Sequence, residues 1–185
     1  MEKGTYKKSI VVLKKIAFIG PESTAKSSLC EQLALHYNTA WSPEYAREYI
    51  SDLNRPYEMN DVLHCIRKQI DSNKNAESKS SKLFFADNEA INGMVWLLDK
   101  YQSCPKWVMD EIISNPFDLY LLTYPDIDFV SDNVRENGDR RMYFYDWYKK
   151  ELDLRKLNYA IIRGHGNARY ENALKAVENF LSENP

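Results

Sequence analysis

Four short runs of consecutive apolar positions punctuate the chain, at residues 15–20, 82–87, 118–124 and 158–164. Runs such as LYLL and KLFFA do not alternate with polar residues, so they predict strands covered on both faces. A shorter strand is predicted at 39–42. Between the runs the period changes. Met59, Val62, Leu63, Ile66 and Ile70 fall at i, i+3, i+4 spacing, as do Ile91, Met94, Val95 and Leu98, and then Tyr170, Ala173, Leu174, Val177 and Leu181. Each set lines one face of an amphipathic helix. Strands alternating with helices predict an α/β fold with a parallel central sheet and helices on both faces. The polar stretch KNAESKSSK, 74–82, reads as a frayed helix end and a loop before a strand.

Composition adds few constraints. With 185 residues, 44% apolar and 28% charged, the chain is expected to form one domain over 1–185, with 1–13 as an N-terminal extension. A net charge of -2 lacks the electrostatic footprint of a nucleic-acid binder, so nucleic acid is not an expected partner. The apolar runs at 10–13 and 16–19 are split by Lys14 and Lys15, which leaves no secretory core of ~7 to 15 residues. No membrane span is expected elsewhere. Cys30, Cys65 and Cys104 are odd in number and lack CxxC spacing, which fits free thiols in a reducing cytoplasm. His36, His64 and His165 share no metal-ligand spacing with them.

The stretch GPESTAKSSL, 20–29, carries the chemistry. It nearly matches G-x-x-x-x-G-K-[ST], in which loop amides and a helix N-terminus cradle phosphates. Gly20, Lys26 and Ser27 match, and Ala25 stands where the second glycine belongs. IAFI precedes as a strand, while Leu29, Cys30, Leu33, Ala34 and Tyr37 continue as a helix. Residues Ser23, Thr24, Ala25, Lys26, Ser27 and Ser28 supply the candidate ATP cradle. Lys26 would reach the β and γ phosphates, and the Ser27 hydroxyl would ligate Mg²⁺. Two reasons for a glycine at 25 stay open. Either the backbone needs positive φ, where alanine costs about 1 to 2 kcal/mol, or the loop needs space that a methyl group can share.

Phosphoryl transfer also calls for a carboxylate near the metal. FFADNE puts Asp87 at a strand end, as metal-side residue, general base or N-cap of the following helix. WSPEYAREYI, 41–50, lies beside the phosphate loop in this topology. Glu44 and Arg47 there read either as acceptor-binding groups, Glu44 also as a base, or as a solvated helix start. Residues 126–141, DIDFVSDNVRENGDRR, form a candidate lid whose Arg135 closes over the transferring phosphate; Arg140 and Arg141 carry a weaker signal. Phe129 and Trp96 suit either base stacking or a core. RGHGNAR, 163–169, reads as a loop beside the adenine, with His165 a loop residue and not a catalyst.

Taken in order, GPESTAKSSL, PEYAREYI, FADNE and DFVSDNVRE, with the terminal strand and helix, resemble the ribosylnicotinamide kinase domain of the NadR type. Members of that family typically read GPESTGKST, PEYAR, a D-T-D-like triplet and a W-V-D-D-x-x-R lid. Here Ala25 replaces the loop glycine, Ser28 the common threonine, Asn88-Glu89 the end of the triplet, and Phe129 the lid tryptophan. The resemblance runs from about residue 14 over nearly all of the chain. It implies a P-loop NTPase fold with a small lid, and a kinase moving the γ-phosphate of ATP to nicotinamide riboside with Mg²⁺. By position it implies Gly20, Lys26 and Ser27 at ATP and metal, Asp87 in the acidic role and Arg135 in the lid. Other nucleosides, and nucleotide binding without turnover, remain alternatives. Multidomain relatives carry a nucleotidyltransferase domain and sometimes a DNA-binding one, for which 185 residues leave no expected room.

Overall fold

The structure, a computed structural model, describes residues 12–130 and 137–184. Five strands follow the apolar runs: β1 Lys14–Ile19, β2 Trp41–Ser42, β3 Leu83–Asp87, β4 Leu119–Thr123 and β5 Tyr159–Ile162. All pair in parallel, in the order β2-β3-β1-β4-β5. The expected parallel α/β fold, of P-loop NTPase type, is what forms. β1 therefore sits between β3 and β4, with chain crossing to either side of it, and the crevice beyond its C-terminal end is where open sheets bind ligands.

Seven helices cover the sheet among the described residues: α1 Lys26–His36, α2 Tyr45–Ser51, α3 Met59–Ser78, α4 Ala90–Tyr101, α5 Lys106–Ser114, α6 Arg141–Arg155 and α7 Gly166–Glu183. Strand alternation assigns them to faces. Ile16 and Phe18 of β1 pack with Leu29 and Leu33 of α1 and with Ala173 and Val177 of α7. Ala17 and Ile19 point the other way, into a core with Val62, Ile91, Met94, Val108 and Phe144 from α3 to α6. Both faces of β1 are thus dry, which explains its unbroken apolar run.

The periodic segments formed the helices expected of them. The stretch 74–82 differs in part, because α3 continues to Ser78 and only 79–82 form the loop. Asn73 and Ala76 are buried, Ala76 beside Phe84 and Ala86 of β3, so this end is packed and not frayed. No helix among the described residues is long and apolar enough to cross a membrane.

Candidate functional site

Residues 20–25 leave β1 as a tight loop and re-enter helix at Lys26. Gly20 has φ 142°, and a Cβ there would overlap Thr123 Oγ1 and lie 2.9 Å from the Thr123 carbonyl oxygen. Only glycine fits between β1 and β4 at this point. Thr24 is buried; its hydroxyl donates to Pro21 O (2.8 Å) and lies 2.7 Å from Thr123 Oγ1. Ala25 adopts the left-handed conformation, φ 62° and ψ 24°, as N-cap of α1. The sequence question about Ala25 is thereby answered: the loop needs positive φ, and alanine supplies it at a cost of about 1 to 2 kcal/mol.

The described ends of the candidate lid dock on the same loop. Val130 N donates to Ser23 Oγ (2.9 Å) and Asn137 N to Glu22 Oε2 (3.1 Å). Arg141 Nη1 donates to Ser23 O (3.2 Å) and Ile127 O (2.8 Å). Arg135 lies outside the described residues. Phe129 is covered by the Arg141 guanidinium, 5.6 Å from its ring centre, and does not border the cavity described below.

A cavity of about 650 Å³ opens above the loop. Residues 20–28 border it, so Gly20, Ser23, Thr24, Ala25, Lys26, Ser27 and Ser28 all reach it. Its lining also includes Glu44, Arg47, Asn88, Tyr57, Trp96, Arg140 and Tyr148. Lys26 Nζ bends back to Pro21 O at 2.8 Å. Burial holds its pKa below the ordinary lysine value, against the opposing pull of Glu44, Asp87 and Glu22.

Asp87 ends β3, one residue before the cavity-lining Asn88, and is fully buried. It does not cap α4; Glu89 does, accepting from Ile91 N at 2.9 Å. Burial first, then repulsion from Glu44, raises the Asp87 carboxyl to about 6, with Lys26 pulling the other way. The Ser27 hydroxyl is near enough to favour its charged form, yet neither Asp87 oxygen has a partner at hydrogen-bond geometry among the described residues. A buried carboxylate with two orphaned oxygens beside a hydroxyl is a hard oxygen donor set, and it fits Mg²⁺, which takes few protein oxygens and keeps several waters. Glu89 rises further, to about 8, through burial.

Glu44 stands one residue before α2. Its Oε1 accepts from Asn88 Nδ2 at 2.6 Å and its Oε2 lies 3.7 Å from Arg47 Nε. Asn88 itself is held at φ 78°. Ser23, Ala25 and Asn88 are three of the six non-glycine residues at positive φ among the described residues, and all three border the cavity. Strain gathered at one place is a mark of a functional site.

Also on the cavity wall, Trp96 Nε1 donates to Tyr57 Oη (3.2 Å), the two rings meeting edge to face at 5.2 Å. Arg140 pairs with Asp99 through both nitrogens (3.1 and 2.5 Å) and lies 4.8 Å from the ring centres of Tyr143 and Phe144. Sequence reasoning missed Arg169. It is 2% exposed, and its guanidinium binds Asp126, Gly164 O, Thr24 O and Tyr124 O. His165 precedes α7, is exposed and does not border the cavity.

With this geometry in hand, the AAA domain family matches residues 15–169. Among solved structures the chain is similar to the NadR protein in complex with NR, at 26% identity and a TM-score of 0.75, over 90% of this chain and 51% of that one. It is also similar to NadR in complex with NAD and AMP-PNP, at 25% identity and a TM-score of 0.71, over 90% and 49%. The chain spans about half the length of these relatives. Thymidylate kinase from Ehrlichia chaffeensis shares the fold, at 12% identity and a TM-score of 0.61 over 89% of this chain and 98% of that one. The resemblance to the NadR type read from the sequence is therefore shown, and the fold is that of a P-loop protein.

Proposed function

The chain belongs to the AAA domain family, as a P-loop member, and on that premise we propose that it is an ATP- and Mg²⁺-dependent kinase phosphorylating nicotinamide riboside to nicotinamide mononucleotide. One observation carries the reading. A single cavity joins the phosphate loop at Gly20 to Ser28 with a chamber walled by Glu44, Arg47, Tyr57 and Trp96, so a triphosphate and an aromatic nucleoside can meet inside it. The NadR relative in complex with NR supports the choice of acceptor.

In this reading the loop amides and Lys26 hold the phosphates, Lys26 leaving Pro21 O as they arrive. Ser27 and Asp87 would hold Mg²⁺, which would supply positive charge against the transferring phosphate. Asp87 is fully buried, whereas Glu44 borders the cavity, so Glu44 takes the proton of the attacking hydroxyl. Tyr57 and Trp96, in contact with each other, together form one wall for the acceptor's ring. Arg135 closes over the γ-phosphate. Residues 1–185 act as one domain with 126–141 as its lid, and the free cysteines Cys30, Cys65 and Cys104 suit a reducing cytoplasm.

The test is the mass of the product formed from ATP and nicotinamide riboside, beside a panel of other nucleosides, for wild type and Lys26→Ala. A riboside heavier by one phosphate, absent with the variant, supports the reading; silence on the riboside with turnover of another nucleoside moves the acceptor. Nucleotide binding without turnover is the second reading, favoured by the strained alanine at position 25. ATP-dependent thermal stabilisation with no product from any acceptor would select it.

A further inference from the structure

None of the seven residues of α2 is fully buried, though Tyr45 and Tyr49 lie against His64 of α3 and Tyr49 bonds Asp61. The turn just before α2, which carries Glu44, is held in addition by a closed ring of hydrogen bonds. Tyr45 N donates to Gln69 Oε1 (2.8 Å), and Gln69 Nε2 donates to Pro43 O (3.1 Å), gripping the backbone on both sides of Glu44. Gln69 Nε2 also donates to Asn73 Oδ1 (3.0 Å), which accepts from the Ser42 hydroxyl as well. Asn73 Nδ2 donates to the main-chain oxygen of Asn88 (3.3 Å), and Asn88 Nδ2 closes the ring on Glu44 Oε1 at 2.6 Å.

Every amide orientation in this ring is forced. A main-chain N–H can only meet the oxygen of Gln69, and the Glu44 carboxylate can only meet the nitrogen of Asn88. Gln69 and Asn73 are 7% and 8% exposed, so breaking the ring leaves buried polar groups unpaired. The ring ties the turn of Glu44 to the residue that follows Asp87, across β2, α3 and the end of β3.

We propose that Gln69 and Asn73 are positioning residues for phosphoryl transfer: a buried amide pair on α3 that sets where the Glu44 carboxylate meets the acceptor hydroxyl. They act through Glu44: Gln69 borders the cavity, but its amide is engaged by Tyr45, Pro43 and Asn73, and Asn73 does not border the cavity. The proposal rests on the kinase reading above. A misplaced base costs rate steeply, because small displacements spoil the attack geometry.

The test is a double-mutant cycle on the acceptor that the wild type phosphorylates, with Gln69→Met, Glu44→Gln and the pair. Gln69→Met should lower kcat/KM for the acceptor by roughly 10- to 100-fold while the KM for ATP stays within about twofold. In the Glu44→Gln background the same change should cost less than about twofold. Asn73→Ala cuts the ring at another bond and must give the same pattern, which keeps the test standing if one variant does not fold. Faster exchange of the Tyr45 amide in Gln69→Met reports the broken ring without any activity. Equal losses in both backgrounds, or an ATP KM that rises with the acceptor's, would overturn the proposal while leaving the kinase intact. A wild type that phosphorylates nothing overturns the kinase reading and the proposal together, and unchanged Tyr45 exchange would show that the ring is not the anchor.

Discussion

The buried guanidinium of Arg169 donates to the main-chain oxygen of Thr24 at 3.0 Å, joining α7 to the phosphate loop across 145 residues of sequence. The same group holds Tyr124 O (2.7 Å), Gly164 O (3.0 Å) and Asp126 Oδ1 (2.5 Å). The ends of β4 and β5 are thus clamped to the loop at the residue before the strained Ala25.

Arg169→Met is expected to be among the most damaging single changes away from the reacting groups. It leaves Asp126 with only its Gly164 amide bond and strips a donor from three carbonyl oxygens, and removing one partner of a buried pair costs about 3 to 5 kcal/mol. Asp126 keeps 23% exposure, so the lower end applies. At about 3 kcal/mol the melting temperature should fall by roughly 6 to 12 °C. ATP affinity should fall as well, since Thr24 loses its anchor. A melting temperature unchanged in calorimetry would show that the clamp contributes nothing.

Ala25→Gly tests the strain at the other side of that clamp. Relief of the left-handed alanine is worth about 1 to 2 kcal/mol, and the added freedom of the unfolded chain returns about 0.4 to 1. The variant should therefore be slightly more stable, by about 0.5 to 1 kcal/mol, with ATP binding kept or tightened. A urea midpoint that moves down instead would mean that the methyl group packs usefully, against the hydrophobic neighbours α1 and α7 supply.

Asp87→Asn should separate stability from turnover. A fully buried carboxylate whose oxygens lack partners opposes folding wherever it is charged. Its carboxyl is raised to about 6, so near neutral pH the wild type carries that cost and the amide does not. In chelator and without nucleotide, the variant should be more stable by about 2 kcal/mol, yet its kinase rate should fall by roughly 100-fold or more. Equal activity with Mg²⁺ present would remove Asp87 from the metal role.

Much of this was legible locally. The strand, loop and helix from Lys14 to His36 show in the sequence because an apolar run, a phosphate motif and a helical period stand side by side. The aromatic residues of α6 hide its period: Phe144, Tyr145, Tyr148 and Leu152 face inward, but Tyr143 and Trp147 on other sides blur the stripe. Gln69, Asn73 and Arg169 were invisible for a different reason. Polar residues are counted as solvated faces in a periodic reading, and only tertiary contact reveals that these three are buried and hydrogen-bonded. The backbone angle at Ala25 could not be read at all, since the same ten residues permit either explanation for a glycine there.

Asp61 gives the prediction with a defined pH window. Arg55 donates to both of its oxygens (2.7 and 2.9 Å), the Glu58 amide donates at 2.8 Å and Tyr49 Oη at 3.0 Å, closing the N-terminus of α3. The Arg55 bonds, then the Glu58 amide, hold the carboxyl well below its ordinary value. A depressed carboxylate binds its proton more weakly when folded than when unfolded, so the unfolded chain takes up more protons as pH falls. The stabilisation is therefore present above the ordinary value of 3.8 and is lost as pH drops beneath it. Asp61→Asn should melt below the wild type near neutral pH, and the gap between the two curves should narrow as pH falls past 3.8. Melting curves that run parallel from neutral pH to about 3 would show that the bonds around Asp61 do not discriminate its charged form.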